Sequence, residues 1–168
     1  MEKLAKFRVT IFMLLVLSIQ SCSSEKSLNL TDTNHGNYLL GNWEGNQQIK
    51  IRYQEGFGQY TFIHSKESLP THLSIKNKGE VKGKIGEANI QNARVISNRG
   101  ALLRTLGWAS DFAIKGELQG SIFSQDTLSF RTFSIPLKCD SLTLSGDLFQ
   151  TEGLDMFPMG TLNLKHKE

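Results

Sequence analysis

The stretch Gln-Ile-Lys-Ile-Arg-Tyr, residues 48–53, decides the fold class, because its apolar side chains alternate strictly with polar ones. Alternation with a period of two is typical of a β-strand with one buried and one wet face. Residues 39–45 before it place Trp43 between two polar side chains, and Gln-Glu-Gly at residues 54–56 after it has turn chemistry. We therefore predict that the folded domain opens here with a strand.

The same pattern recurs at intervals of about 8 to 12 residues as far as Leu164, which indicates roughly nine short strands. Gly83 lies inside one of them, which predicts a bulge or a tight bend, and residues 90–93 break the alternation, which predicts a bulge. A slip near Arg131 predicts a further bulge or a strand that bends across a corner. Residues 98–107 are the one helical candidate, of at most two turns.

These patterns predict an all-β domain over residues 38–168, an antiparallel barrel or sandwich with one short helix. No strand–helix–strand alternation is present, which argues against a parallel sheet. Gly41-Asn42-Trp43 is similar to the Gly-x-Trp that opens the barrels of lipocalins and other calycins. The resemblance implies an up-and-down barrel of eight or nine strands, with the tryptophan plugging its closed end and an apolar ligand inside.

The start of the chain has the order of an export signal. Three basic residues precede an apolar run at residues 11–17, and Ile19-Gln20-Ser21-Cys22 follows the run. The run is shorter than the roughly 20 residues of a transmembrane helix. The basic flank favours a cytoplasmic N-terminus, so the chain after it crosses the membrane.

The ending Ile19-Gln20-Ser21-Cys22 resembles the lipobox of bacterial lipoproteins. The resemblance implies that diacylglycerol is joined to the Cys22 thiol, that residues 1–21 are removed as a signal peptide, and that a further chain such as palmitate acylates the new amine. Two or more chains anchor a protein stably, at about 0.8 kcal/mol per buried CH₂. We expect a lipid-anchored protein of the bacterial envelope, at the outer membrane rather than the inner. The alternative is an ordinary secretory signal with a chance cysteine.

Residues 22–37 are polar and carry too few apolar side chains to fold alone, so we predict a flexible tether between the lipid and the barrel. The chain from Cys22 onward has 147 residues, which suits one domain, with 16 basic and 15 acidic side chains. That balance gives no support to nucleic-acid binding. With Cys22 acylated, Cys139 is left without a disulfide partner.

No motif for catalysis or for a cofactor stands out. The four histidines have no metal-ligand spacing, and no serine lies in a Gly-x-Ser-x-Gly elbow, so we predict neither an enzyme nor a metal protein. Trp43, Trp108, Phe157 and Met159 are candidates either to face a ligand or to plug the barrel. Our first hypothesis is a non-enzymatic module that binds a small apolar molecule or a partner envelope protein. The alternative is a structural or inhibitory interaction module with a filled core.

Overall fold

The computed structural model describes residues 28–32, 36–56, 59–97, 110–153 and 155–167. The predicted signal peptide at residues 1–21, the acylation site Cys22, the helical candidate at residues 98–107 and Trp108 all lie outside these ranges. Among the described residues, no helix has both the length and the apolar character that a membrane span requires.

Ten strands account for most of the described chain. They are β1 (Gly41–Gln47), β2 (Lys50–Gly56), β3 (Gln59–His64), β4 (Leu69–Ile75), β5 (Glu80–Ile85), β6 (Ala88–Ser97), β7 (Phe112–Gln119), β8 (Phe130–Cys139), β9 (Thr143–Glu152) and β10 (Asp155–Lys167). Two 3₁₀ turns, Leu30–Asp32 and Gly36–Leu39, precede them.

Eight of the strands form a closed antiparallel barrel in the order β1-β10-β9-β8-β7-β6-β5-β4. Strands β2 and β3 pair only with each other, as a hairpin inserted between the first two strands of the barrel. The predicted all-β, up-and-down barrel is confirmed. The sequence pattern predicted about nine strands because it treated β1 and β2 as one, whereas the chain leaves the barrel between them at Gln48 and Ile49.

The barrel has two differently built ends. We call the end with residues 28–40 and the turns at 76–79 and 140–142 the entry end. The other end, which we call the cap end, has the β2–β3 hairpin and the loop at residues 120–129. Each end is covered by apolar side chains: Leu30 and Leu39 at the entry end, Ile122 and Phe123 at the cap end.

The interior of the barrel is one continuous hydrophobic core. Its members alternate along the strands as a pleated sheet requires. The largest fully buried side chains are Trp43, Phe133, Leu30, Leu39, Ile49, Ile51, Leu73, Ile85, Ile114, Leu118, Ile122 and Ile135.

Part of the predicted tether belongs to this core. Leu30 lies inside the range 22–37, yet its side chain is fully buried and its amide donates to the Asn77 carbonyl at 2.9 Å. Its packing against the turn at residues 76–79 provides the burial that the polar composition did not suggest. The packed chain therefore begins by Leu28 rather than at residue 38.

One of the three predicted irregularities, the bulge at residues 90–93, is confirmed. The register of β6 shifts against both β5 and β7 because β6 has one extra residue beside Asn92, whose φ is +49°. No bulge lies in β5 at Gly83, since β5 keeps one register with β4 from Val81 to Ile85. Of the alternatives predicted near Arg131, the bulge is wrong, because β8 keeps one register with β7 from Phe130 to Leu137. The alternation breaks there because Arg131, a charged residue, faces inward and Phe130 faces outward.

Candidate interaction surface

Trp43 is a core residue at the entry end of the barrel. Its side chain is fully buried, and its indole Nε1 donates to the Leu39 carbonyl at 2.9 Å. The His166 ring packs edge-on against it, with 4.9 Å between the ring centroids. The hydrogen bond ties β1 to the 3₁₀ turn that covers this end.

Met159 and Phe157 lie near the cap end, on β10. Met159 is buried at the bulge where β10 changes register against β9, and Phe157 is half-buried. Trp43 on β1 pairs with His166, which lies on β10 seven positions after Met159. Along the strand direction, Trp43 and Met159 are therefore about 20 Å apart. The described candidates from the sequence therefore do not meet at one site.

The layer of the interior beneath the cap combines polar side chains with apolar ones such as Ile85 and Leu118. Gln47, Thr71, Arg131 and Gln150 are buried there, on four different strands. Both polar atoms of the Gln47 amide, the Thr71 hydroxyl and the Gln150 carbonyl have no hydrogen-bond partner within the described residues. Buried groups of this kind normally bind water. An apolar ligand would desolvate them without compensation.

A buried ion pair holds the loop at residues 120–129 over this layer. Arg131 donates to both carboxylate oxygens of Asp126 at 2.6 Å, and both side chains are almost fully buried. The Tyr53 hydroxyl donates to Asp126 at 2.8 Å and accepts from the Thr127 amide at 2.7 Å. The network thus joins the hairpin, the loop and the wall of the barrel.

The network shifts two ionisation equilibria. Burial raises the pKa of the Asp126 carboxyl, but the hydrogen bonds from Arg131 and from the Ile122 amide outweigh it, so the pKa lies below its usual value. Burial and the hydrogen bond to Asp126 raise the pKa of Tyr53. Asp126 is therefore charged and Tyr53 neutral at physiological pH.

The outer face of the hairpin holds a second cluster, built around Arg52. Its guanidinium lies 3.0 Å from the ring centroid of Phe157 and 4.0 Å from that of Tyr60, so it stacks on both rings. It also donates to Glu152 at 2.6 Å, and Glu152 accepts from Gln150 at 2.6 Å. Arg52 is mostly buried although it lies on the outer face.

Aromatic side chains extend this face toward the free edge of β3. Tyr60 is 46% exposed and Phe62 49%, and the Lys50 ammonium lies 5.7 Å from the Phe62 ring centroid. Within the described ranges, no strand pairs with the outer edge of β3. We call Lys50, Arg52, Tyr60, Phe62 and Phe157 the hairpin surface. Tyrosine, phenylalanine and arginine are the residues enriched in protein–protein interfaces.

Sequence analysis singled out only Phe157 from this cluster. The signal for the rest was present in β2 and β3, where basic residues alternate on one strand and aromatic residues on the next. The period-two pattern does not say which face of a hairpin is buried. Here Ile51 faces the core, and its neighbours Lys50 and Arg52 face outward with Tyr60 and Phe62.

The described residues hold neither a cluster of metal ligands nor a reactive thiol. No three side chains among their histidines, cysteines, aspartates and glutamates come close enough together to hold a metal ion. Cys139 is half-buried, and burial together with the Asp140 charge raises the pKa of its thiol to about 11. The thiol is therefore protonated at neutral pH and a poor nucleophile.

No family model, no curated protein and no solved structure matches this chain. The fold and the surface described above are therefore the basis on which a function can be argued.

Proposed function

We propose that this chain is a lipid-anchored protein of the bacterial envelope, whose barrel is a non-enzymatic module that binds a partner protein through the hairpin surface. The observation that carries the proposal is a contrast between inside and outside. The interior is packed with side chains, whereas Tyr60 and Phe62 are exposed on a strand whose outer edge is unpaired. Exposed aromatic residues on such an edge are typical of an interaction site.

The anchor rests on the lipobox-like sequence at residues 19–22. Diacylglycerol on the Cys22 thiol and a palmitate-like chain on its amine would hold the protein at the membrane, the outer membrane in our proposal. The barrel itself then needs only to fold and to recognise a partner.

The interior gives less support to an apolar ligand. Trp43 and Met159 are buried within the core, and the layer beneath the cap is lined by polar side chains. Three depressions of about 590, 790 and 420 Å³ lie at the entry end and on the outer wall of the barrel. The filled-core interaction module is therefore the reading we prefer.

The anchor is tested by the variant Cys22→Ser, with the Cys139→Ser variant as control, because only Cys22 follows the lipobox. In bacteria fed a labelled fatty acid, we expect the natural chain and the Cys139→Ser variant to carry label and to sediment with membranes. We expect Cys22→Ser to carry no label. Undiminished labelling of Cys22→Ser would refute the proposed acylation.

The interaction is tested by a photo-crosslinking amino acid placed at position 62 in living cells. We expect one discrete protein adduct from Phe62 and none from Asn163, an exposed position on the outer wall of β10. The purified partner should bind the natural protein at least tenfold more tightly than Tyr60→Ser, at unchanged thermal stability. The same adduct from both positions, or binding indifferent to Tyr60, would contradict the proposal.

A further inference from the structure

The chain enters the barrel at a fixed point of its entry end. The Leu30 amide bonds to the Asn77 carbonyl, and the carbonyl of Leu28 lies so close to Gly79 that a Cβ there would be 2.9 Å from it. Leu28 is therefore held against the turn at residues 76–79. A lipid attached to Cys22 would therefore be connected to the barrel at this point.

The distance from that point to the proposed lipid is short. Six residues separate Cys22 from Leu28, and at 3.3–3.6 Å per residue they span at most about 20 Å. The barrel itself is about 25 Å tall, from ten-residue strands with a typical tilt. The entry end must therefore lie near the bilayer, whereas the cap end can stay away from it.

The entry end has exposed apolar side chains suited to a membrane interface. Leu142, in the turn between β8 and β9, is 71% exposed, and Tyr38 is 53% exposed. Tyrosine and leucine beside lysine are the composition of segments that lie in the headgroup region of a bilayer.

The same end carries exposed lysines. Lys76, Lys78 and Lys138 are all exposed there. Of the acidic residues at this end, Glu80 forms a 3.1 Å ion pair with Lys82, Asp140 accepts hydrogen bonds from the Leu142 and Thr143 amides, and Asp111 is exposed. Lysines close to a membrane surface are attracted to anionic lipids.

We infer that the entry end docks against the anionic headgroups of the phospholipid bilayer, so that the barrel stands on the membrane with its cap outward. Leu142 and Tyr38 enter the headgroup region, and the lysines of the turns contact lipid phosphates. The inference takes the anchor position from the proposed function. It adds a bilayer contact that presents the hairpin surface to the aqueous side.

The test compares two matched positions on the full acylated protein in a Cys139→Ser background. Ser141→Cys places a fluorophore at the entry end and Ser124→Cys places one in the cap loop, and both serines are exposed. The protein is reconstituted into vesicles of phosphatidylcholine with and without phosphatidylglycerol, each with a lipid-attached quencher. On the anionic vesicles we expect quenching at Ser141 to exceed that at Ser124 at least threefold.

Charge reversal identifies the contact. Lys76→Glu with Lys78→Glu should bring the quenching ratio on anionic vesicles down to that on phosphatidylcholine alone. The control pair Lys66→Glu with Lys84→Glu, which makes the same charge change nearer the cap, should leave it unchanged. High salt should lower the quenching ratio of the natural protein on anionic vesicles as Lys76→Glu with Lys78→Glu does, since the attraction is electrostatic.

The inference would be overturned by equal quenching at the two positions, or by a quenching ratio that Lys76→Glu with Lys78→Glu leaves unchanged. Failure of the anchor gives a different result. The N-terminal peptide would then carry no acyl chains and the protein would not sediment with the vesicles, whereas failure of the docking alone leaves an acylated, vesicle-bound protein with equal quenching at the two positions.

Discussion

Arg131 interrupts the alternation of apolar and polar residues in β8, and its ion pair with Asp126 holds the loop at residues 120–129 in place. It occupies an inward position of β8, between Leu118 on the neighbouring strand and Asp126 in the cap loop. A buried charge is tolerated only when it is paired and hydrogen-bonded, and the bidentate contact with Asp126 meets that requirement.

Asp126→Asn should destabilise the fold by about 3–5 kcal/mol at neutral pH, because it leaves the Arg131 charge buried without a counter-ion. Urea denaturation measures the free energy of unfolding. Asp147→Asn is the control, since that exposed carboxylate is changed in the same way and its bond from Thr161 can persist. A loss below 1 kcal/mol for Asp126→Asn would contradict the structural importance of the pair.

The same variant should also change the response to acid. The folded-state pKa of Asp126 lies below its unfolded value of about 3.9, so its contribution is fully present above that pH and is lost as pH falls through the folded pKa. The stability difference between the natural protein and Asp126→Asn should therefore shrink below about pH 4.

At the scale of elements, the cap loop and the β5–β6 turn fit each other closely. Gly86 in that turn has φ +58°, and a Cβ there would lie 2.2 Å from the Ile122 carbonyl, which accepts from the Glu87 amide. Ile122 can therefore be buried in the core only because position 86 of the β5–β6 turn has no side chain.

Gly86→Ala should cost clearly more stability than Gly153→Ala. Both glycines have positive φ, and a side chain in that conformation costs about 1–2 kcal/mol. A Cβ at Gly153 would meet nothing within 4 Å, whereas one at Gly86 displaces the Ile122 backbone. Crowding of that kind adds about 1–3 kcal/mol. Thermal unfolding of the two variants compares them, and equal losses would show that the loop does not depend on this contact.

The strands and the bulge in β6 could be predicted because their signals are local. Alternation predicted β4, β5 and β6, and its break at residues 90–93 predicted the bulge that the register confirms. The separation of the β2–β3 hairpin from the barrel could not be predicted. It depends on which partner β1 chooses, and β1 pairs with β4 over its whole length.

At the scale of the whole molecule, the continuous hydrophobic core of the described residues is the feature that most restricts function. The Gly-x-Trp resemblance predicted the barrel and the place of Trp43, but a sequence motif does not report how much space the other side chains leave. The polar layer and the hairpin surface were missed for a related reason. Both are assembled from residues on several strands, such as Gln47 with Gln150 and Arg52 with Phe157.

The natural protein should therefore bind no apolar ligand inside the barrel. Native mass spectrometry after incubation with a medium-chain fatty acid should show the mass of the acylated protein alone. Phe133→Ala removes a fully buried ring, so it should lower stability by about 3–5 kcal/mol and leave a cavity. Bound fatty acid in the natural protein, at the occupancy seen in Phe133→Ala, would contradict a filled interior.

The seam of the barrel joins β1 to β10, the first and last strands described. More than one hundred residues separate β1 from β10 in the sequence, so the barrel cannot close until β10 is available for pairing. A nascent chain is left with two open sheet edges until then. For the export proposed above, this delay would keep the polypeptide unfolded while it passes through the translocation pore.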